Sequence, residues 1–419
     1  GINMKLKLIV FFFALVLLST NIYSQGEAAV PFLVLQQSPQ FTGAAQVGVA
    51  VPPIDPMGFY LNPAVLGETS KEFNFTTLFL PSKVDWLSFG RYEFSTFGLS
   101  LGYNFEKSFL DIPLSIGFGF IKNRFDYGEF VRMGPESPDP IGTFNPYDEF
   151  SSFSFGIGYE FYLYFSLGIS TKKFKSLLRD SPMGETSGIG SAEGNAADYG
   201  FLISAPISKL FYNNFVFKVK DNWAMQPKTN ISLGYSLTNI GDEISYIDQA
   251  QSDPIPRTAR LGYNINLGFD LVENDFRFNL FDYYFIAEAE DILIKREEEN
   301  DYKTEYQDWM GDISFGKHVI GLKGDDEVVV RKAHMFRFLE TFTYSIGRFD
   351  GRGFYNRKSN GFVISTTGLS KYLSSNFDND VIQFVADHIS IEYYITTLFV
   401  DWWETDITGI GIILKNFSF

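Results

Sequence analysis

Between Ser151 and Phe161 large apolar residues alternate strictly with small or polar ones. Phe153, Phe155, Ile157, Tyr159 and Phe161 share one phase, and Ser152, Ser154, Gly156, Gly158 and Glu160 share the other. Successive side chains of a strand point to opposite faces, so the segment has one oily face and one wet face. The alternation recurs down the chain. Phe97, Leu99, Leu101, Tyr103 and Phe105 oppose Thr96, Gly98, Ser100, Gly102 and Asn104. Ile112, Leu114, Ile116, Phe118 and Phe120 oppose Pro113, Ser115, Gly117 and Gly119. Ile231 to Leu237 and Leu261 to Phe269 repeat it. A soluble sandwich could carry such ladders, but a closed barrel facing lipid accounts for more of the chain.

Composition supports that choice. Aromatics make up 18% of the chain, with 46 Phe and 23 Tyr, more than a soluble core requires. Lipid-facing strands and interfacial aromatic girdles use that excess. No segment after the first two dozen residues gives 18 consecutive apolar residues, so helical spans are not expected. The absence of Cys excludes disulfides, thiolate nucleophiles and Cys metal sites. A formal charge of -16 argues against nucleic-acid binding. Much of the acid, such as Glu288 to Asp308, is expected on a solvated loop surface.

Residues 4–24 read as a secretory signal peptide, with Lys5 and Lys7 before an apolar run from Leu8 to Leu18. Residues 1–24 are therefore set aside as signal and upstream residues. Residues 25–71 form the next unit. Its stretch from Ala28 to Leu66 is rich in proline and small residues and does not alternate, which predicts an N-terminal plug or cap. Residues 72–419 form the barrel. Besides the ladders above, strands are expected near 73–80, 84–91, 162–174, 197–207, 278–288, 334–346, 360–368, 388–398 and 406–419. The total is roughly 14, an even number as such barrels prefer. The expected fold class is all-β: a transmembrane antiparallel β-barrel with an N-terminal plug. Gly and Ser on the wet face leave room for a plug, a partner element or a narrow channel. Strict up-and-down parity places the long connections 123–149 and 208–229 on the periplasmic side. The chain closes on Phe417-Ser418-Phe419, like the terminal signal of outer-membrane barrels, although Leu414 replaces the usual glycine.

Candidate chemistry is thin. His318, His334 and His388 are scattered, without partners at metal spacing. Gly188 to Gly194 mimics a phosphate loop at the wrong spacing and reads as a flexible loop. Asn376, Asp378 and Asp380 alternate like the opening of a calcium loop, but its glycine and closing glutamate are missing. Asp401-Trp402-Trp403-Glu404 fits an interfacial belt at a turn. No enzyme activity and no cofactor are expected.

Three stretches resemble the PorV/PorQ family of FadL-like outer-membrane barrels. They are Gly43 to Ala50 followed by Tyr60-Leu61-Asn62-Pro63-Ala64; Ser236 to Tyr246, containing Asn239-Ile240-Gly241 and Ser245-Tyr246; and Pro256 to Tyr263. The proline-rich run Pro52 to Pro56 and the chain after Phe269 depart from the family pattern. Asn62, Pro63, Ala64, Asn239, Ile240, Gly241, Ser245, Tyr246 and Pro256 have scaffold roles by their own chemistry. Asn62 sits in a turn fixed by Pro63. Gly241 is free to take positive φ at a strand end. Pro256 opens a strand without losing a ladder bond. The resemblance implies outer-membrane lipid as surroundings and a non-enzymatic role in type IX secretion. Partners would be the translocon barrel and cargo C-terminal domains, met by loops near 240–256, 289–311 and 369–387. The alternative it implies is a FadL-like transporter of a hydrophobic small-molecule ligand.

Overall fold

The computed structural model describes residues 28–51, 55, 57–84, 92–107, 111–133, 140–179, 190–211, 215–220, 222–247, 252–273, 276–296, 304–400 and 404–417. The expected signal peptide, Pro52, Pro53, Pro56, the Trp402-Trp403 pair and Phe419 lie outside them.

Fourteen strands form the ring in one antiparallel meander, and a short fifteenth, Phe217–Lys220, pairs onto Trp223–Met225 beside it. The ring begins with β1 (Phe73–Val84), β2 (Tyr92–Asn104), β3 (Leu114–Asp126), β4 (Tyr147–Phe161), β5 (Leu163–Arg179), β6 (Gly190–Ala205) and β7 (Trp223–Ile240). The second half comprises β8 (Thr258–Glu273), β9 (Phe276–Ile292), β10 (Val328–Phe338), β11 (Phe342–Gly351), β12 (Phe354–Ser365), β13 (Ile389–Val400) and β14 (Thr405–Lys415). Each pairs with the next, and β14 returns to β1 from Phe73↔Lys415 to Phe79↔Ile410, closing the ring. Closure leaves no open edge, the condition for a sheet in hydrocarbon.

The ladders set which way each strand faces. On β5 the exposed residues are Phe165, Leu167 and Ile169, while Tyr164, Ser166 and Ser170 are buried inside. On β4 the same division sets Phe153, Ile157, Tyr159 and Phe161 outward. Apolar side chains this exposed, on strand after strand, form a belt that only lipid covers favourably. Among the described residues no helix is long and apolar enough to cross a membrane; the strands do the crossing.

The expected total of strands is correct for offsetting reasons. The segment predicted at 84–91 lies, after Val84, outside the described residues; β1 ends at Val84 and pairs directly with β2, so no strand of the ring stands between them. Conversely, 334–346 is two strands, β10 and β11, joined at Leu339 to Thr341. These shifts correct the sidedness of the loops. The connection 127–146 joins the same end of the barrel as 241–257 and 293–327. The connection 206–222 stays at the opposite end, with the tight turn at Tyr162. The segment 369–387, expected beside 240–256 and 289–311, belongs to that opposite end and is largely helical, Thr367–Asn376 and Asp380–His388.

Other expectations fail on the same principle. Gly190 to Gly194 is strand, paired with Phe174 to Arg179, not a flexible loop. Glu288, Glu290 and Asp291 lie on β9 and are buried, not on a solvated loop. Placing Arg at Leu167, in the middle of the belt, is predicted to cost about 2–4 kcal/mol of barrel stability in bilayers. Lys175→Ala, which removes the solvent-exposed Lys175–Glu193 pair, should leave the midpoint of a urea titration of the bilayer-embedded barrel unchanged, whereas Arg at Leu167 should lower it.

Candidate functional site

The lumen is occupied by the described residues between 28 and 72, which form short turns at Pro31–Val34, Pro39–Thr42, Gly58–Tyr60 and Val65–Thr69. Proline and small residues keep this segment from becoming a strand, so its backbone groups need partners from the wall. The wet face of the ladders supplies them. Ser115 Oγ donates to Gly67 O at 2.6 Å, Ser166 Oγ to Ala64 O at 2.5 Å and Ser232 Oγ to Ala50 O at 3.1 Å. On the far wall Ser359 Oγ donates to Gly43 O at 3.0 Å and Thr396 Oγ1 to Pro39 O at 2.7 Å. Glycine provides clearance: a Cβ on Gly168 would sit 2.2 Å from Pro63 C, and one on Gly234 2.0 Å from Val49 O. Of the three fillings the wet face allows, a plug is what occupies it.

Two buried charge clusters hold this plug. In the first, Lys172 Nζ lies 3.0 Å from Asp198 Oδ2, both side chains wholly buried. Lys172 also donates to Asn239 Oδ1 at 2.9 Å and lies 4.3 Å from the Tyr60 ring centre. Asn239 N–H donates to Asp198 at 2.8 Å, and its side-chain amide reaches Pro256 O at 3.1 Å. In the second cluster Arg260 donates to Glu288 at 2.6 Å and pairs with Glu290, while Arg331 donates to Glu290 at 2.8 Å. The plug backbone completes it. Gly48 and Val49 N–H donate to Glu288 at 2.8 and 2.9 Å, and Ala45 and Gln46 carbonyls accept from Arg331 and Arg260. Ala45 and Gln46 both have positive φ, 61° and 59°, so this turn is held in a conformation ordinary residues avoid.

The sequence-predicted residues divide between these places. Asn62 is buried; its amide donates to Val49 O at 2.6 Å and to Phe201 O at 3.2 Å, and its Oδ1 accepts from Ala64 N–H at 3.1 Å. Pro63 and Ala64 pack against Gly168 of β5. Asn239 and Pro256 meet in the first cluster, next to Ile240. The left-handed residue there is Asn239, with φ 57°, and not Gly241, whose place is set instead by close approach to Asn195 O. The Asn239 bulge shifts the β6–β7 register, and Ile240 pairs with Ala197. On the outer wall beside it lies a groove of about 580 Å³ lined by Phe153, Thr171, Lys173 and Asn195, with Lys172 and Ala196 behind. Tyr246 hydroxyl donates to Ser176 at 3.0 Å, while Ser245 stands one residue away in the loop and joins neither cluster. Lys172, Asp198, Arg260, Glu288, Glu290 and Arg331 were not singled out from sequence. Their signal was a charge in the wet phase of a ladder, where a solvated residue has no place.

The scattered histidines form no catalytic set. His318 Nε2 contacts Asp325 at 2.9 Å, but its Nδ1 accepts from the Ser314 backbone N–H, not from the hydroxyl. His334 contacts Tyr283 OH, and His388 the Lys415 carbonyl. Asn376 donates to Tyr372 O, while Asn379 caps the helix Asp380–His388. Among the described residues no three His, Asp or Glu converge on a metal position.

No known family model matches the chain, and no curated protein does. Solved structures overlap it loosely. The Ralstonia pickettii toluene transporter TbuX covers 92% of this chain and 98% of its own at 11% identity and TM-score 0.38. The Pseudomonas putida toluene transporter TodX covers 90% and 96% at 10% identity and TM-score 0.36. A Pseudomonas aeruginosa FadL homologue covers 90% and 96% at 9% identity and TM-score 0.31. At this overlap the fold rests on the strand pairing itself, and a closed antiparallel ring with an apolar belt is an outer-membrane architecture. The chain is a bacterial outer-membrane β-barrel. The longest connection, 293–327, lies at the end that also carries 127–146 and 241–257, and that end is assigned to the outside of the cell because extracellular loops are generally the longer ones.

Two predictions follow from the plug's seat. Glu290→Gln leaves Arg260 and Arg331 short of a buried counter-charge and is expected to cost about 3–5 kcal/mol, read as lost amide protection in residues 43–50. Burial also pushes two plug carboxyls up, Asp55 to about 6 against a hydrogen bond from Ser38, and Glu68 to about 7 against the nearby Lys71 charge. Acids raised this way bind more protons folded than unfolded, so plug stability falls as pH rises from about 4 through 7. Protection factors of residues 55–70 should be lower at pH 8 than at pH 5, and Glu68→Gln should flatten the difference.

Proposed function

We propose that this barrel is a FadL-like transporter that admits a hydrophobic small molecule from outside the cell. The observation behind it is the chemistry of the lumen along the extracellular halves of β2 to β5. There the inner wall changes from Ser and Gly to Phe94, Ile121, Phe125, Phe150 and Phe174, all buried. Plug residues Phe32, Leu33 and Tyr60 fill the same space, with Phe32 and Tyr60 stacked on Phe150 at 6.1 and 5.1 Å. Ile244 and Ile255 from the 241–257 loop close over it. A site for an apolar solute needs such a lining with few polar groups. Entry would replace plug aromatics, and release would follow plug movement or the wall groove beside Asn239.

Type IX secretion is the alternative, supported by the sequence resemblance carried by Asn62, Asn239 and Pro256. Under it the filled lumen is a permanent seal and the loops do the work. Flux of a labelled monoaromatic hydrocarbon into proteoliposomes separates the two. Wild-type protein should carry it, and a disulfide between Ala64→Cys and Ser166→Cys should stop it until reduced, the native chain having no Cys to interfere. Absence of wild-type flux, with a very large partner barrel recovered on pull-down, would overturn transport in favour of secretion.

A further inference from the structure

At the extracellular ends of β7 to β10, residues 304–327 fold back onto the outside of the wall instead of standing above it. The contact runs along one register row. Tyr235 pairs with Leu261, Leu261 with Ala289, and Ala289 with Val330. All four are in the outward phase of their ladders, where lipid would otherwise meet them. Ile313 and Val319 of the loop join Ala289 and Val330 in one buried apolar cluster, and Tyr235 and Leu261 pack against it. The Tyr235 hydroxyl donates to the Trp309 carbonyl at 2.5 Å, and the two rings meet edge to face at 5.6 Å.

The same row sets the depth. Traced the other way, Tyr235 pairs with Phe201, and Phe201 with Leu167 in the middle of the belt. Neighbouring strands stand about 4.8 Å apart and tilt by about 40°, so a row changes height by about 3 Å per strand. Two such steps keep Tyr235, and the Trp309 ring against it, within about 6 Å of the level of Leu167. The apolar belt of such a barrel is about 25 Å tall, so this depth is lipid and not water.

What the loop turns outward agrees with its depth. Trp309, Phe315 and Ile320 are 64%, 54% and 59% exposed. The backbone beside them is closed on itself: in the turn Phe315–Ile320, His318 N–H donates to Ser314 O at 2.8 Å, and Gly321 N–H donates to Gly316 O at 3.0 Å. The two ionisable side chains of that turn, Lys317 and His318, both meet Asp325. A segment lying against hydrocarbon needs its backbone and its charges satisfied in this way. In water, three large apolar side chains turned away from the loop's own cluster would be a liability.

We propose that residues 304–327 form an apron seated in the outer leaflet, with Trp309, Phe315 and Ile320 as its lipid contacts. Lipid is the occupant of this face because the face continues the belt: Leu233 and Ile231, the next outward residues below Tyr235, are already exposed to it. A tryptophan near the membrane surface suits such a seat, its ring in the oil and its N–H toward water. The apron is also tied to β9, since Asp312 N–H donates to Asp291 at 2.7 Å. Lipid thereby steadies the outer end of the strand that carries Glu288 and Glu290 to the plug. The apron rests on the wall alone and holds whether the lumen transports or seals.

Spin labels test it, because the native chain has no Cys to compete for them. Trp309→Cys, Phe315→Cys and Ile320→Cys are made singly in the full chain, labelled and folded into phosphatidylcholine vesicles. Phe153→Cys in the belt and Asp326→Cys at the exposed end of the loop serve as references. Power saturation reads each label's contact with oxygen, which concentrates in lipid, and with a water-soluble nickel chelate present on both sides of the membrane. The three labels should show an oxygen-to-nickel ratio severalfold above that of Asp326→Cys, with Trp309→Cys nearest to Phe153→Cys. Each site is read on its own after the heat-modifiable gel shift has shown a folded barrel, so loss of one variant leaves the test decisive. A ratio at the level of Asp326→Cys at two of the sites would overturn the apron. Weak contact with both reagents at those sites would overturn its assignment to lipid, because protein, such as a second copy of the chain, would then cover the face.

Discussion

A bilayer supplies no water to backbone amides and carbonyls, and that shortage governs both layers of this protein. In the wall the strands solve it among themselves, ending with the β14–β1 pairing that removes the last edge. The plug cannot solve it alone, because a proline-rich segment of short turns leaves many backbone groups unmatched. Its carbonyls are met by serine and threonine hydroxyls, and its 45–49 turn by Arg260, Glu288 and Arg331. The small, polar phase of the ladders is therefore a template for one particular segment.

Charge buried at this depth is retained for placement more than for stability. A buried ion pair seldom outperforms apolar packing, but breaking one is expensive. Lys172 with Asp198, and Arg260 with Glu288 and Glu290, each contact plug and wall together. They fix where Tyr60 and the 45–49 turn sit, while the aromatic contacts around Phe150 tolerate small shifts. The plug is consequently held by oil around Phe150 and by charge at its 45–49 turn.

The wall was legible because a two-residue period is unmistakable where Phe and Gly alternate. Legibility failed where that contrast fades. On β9 the outward residues are Ala287 and Ala289, so Glu288 and Glu290 appear to stand in a polar run although they face inward. Turns failed for a second reason. Tight antiparallel turns usually announce themselves with Asn or Gly at positive φ. Here Leu339 and Glu340 take φ of 53° and 51°, and Tyr162 takes 58°, so nothing in the sequence marks the break between β10 and β11. Asn239 held the left-handed position expected of Gly241, consistent with the tolerance of Asn for that region. The plug was visible as a loss of alternation, but its partners were not, since each contact joins residues far apart in the chain.

The plug crosses the lumen lengthwise. Ala29 is tied by its N–H to Pro254 in the extracellular 241–257 loop, and the segment descends until Ser70 and Lys71 meet the start of β1 at the periplasmic end. The two ends of this tether are fixed by different means. The outer end rests on one loop hydrogen bond and on ring contacts around Phe150, while Asn62, Ala64 and Gly67 near the inner end are bonded to the barrel wall itself.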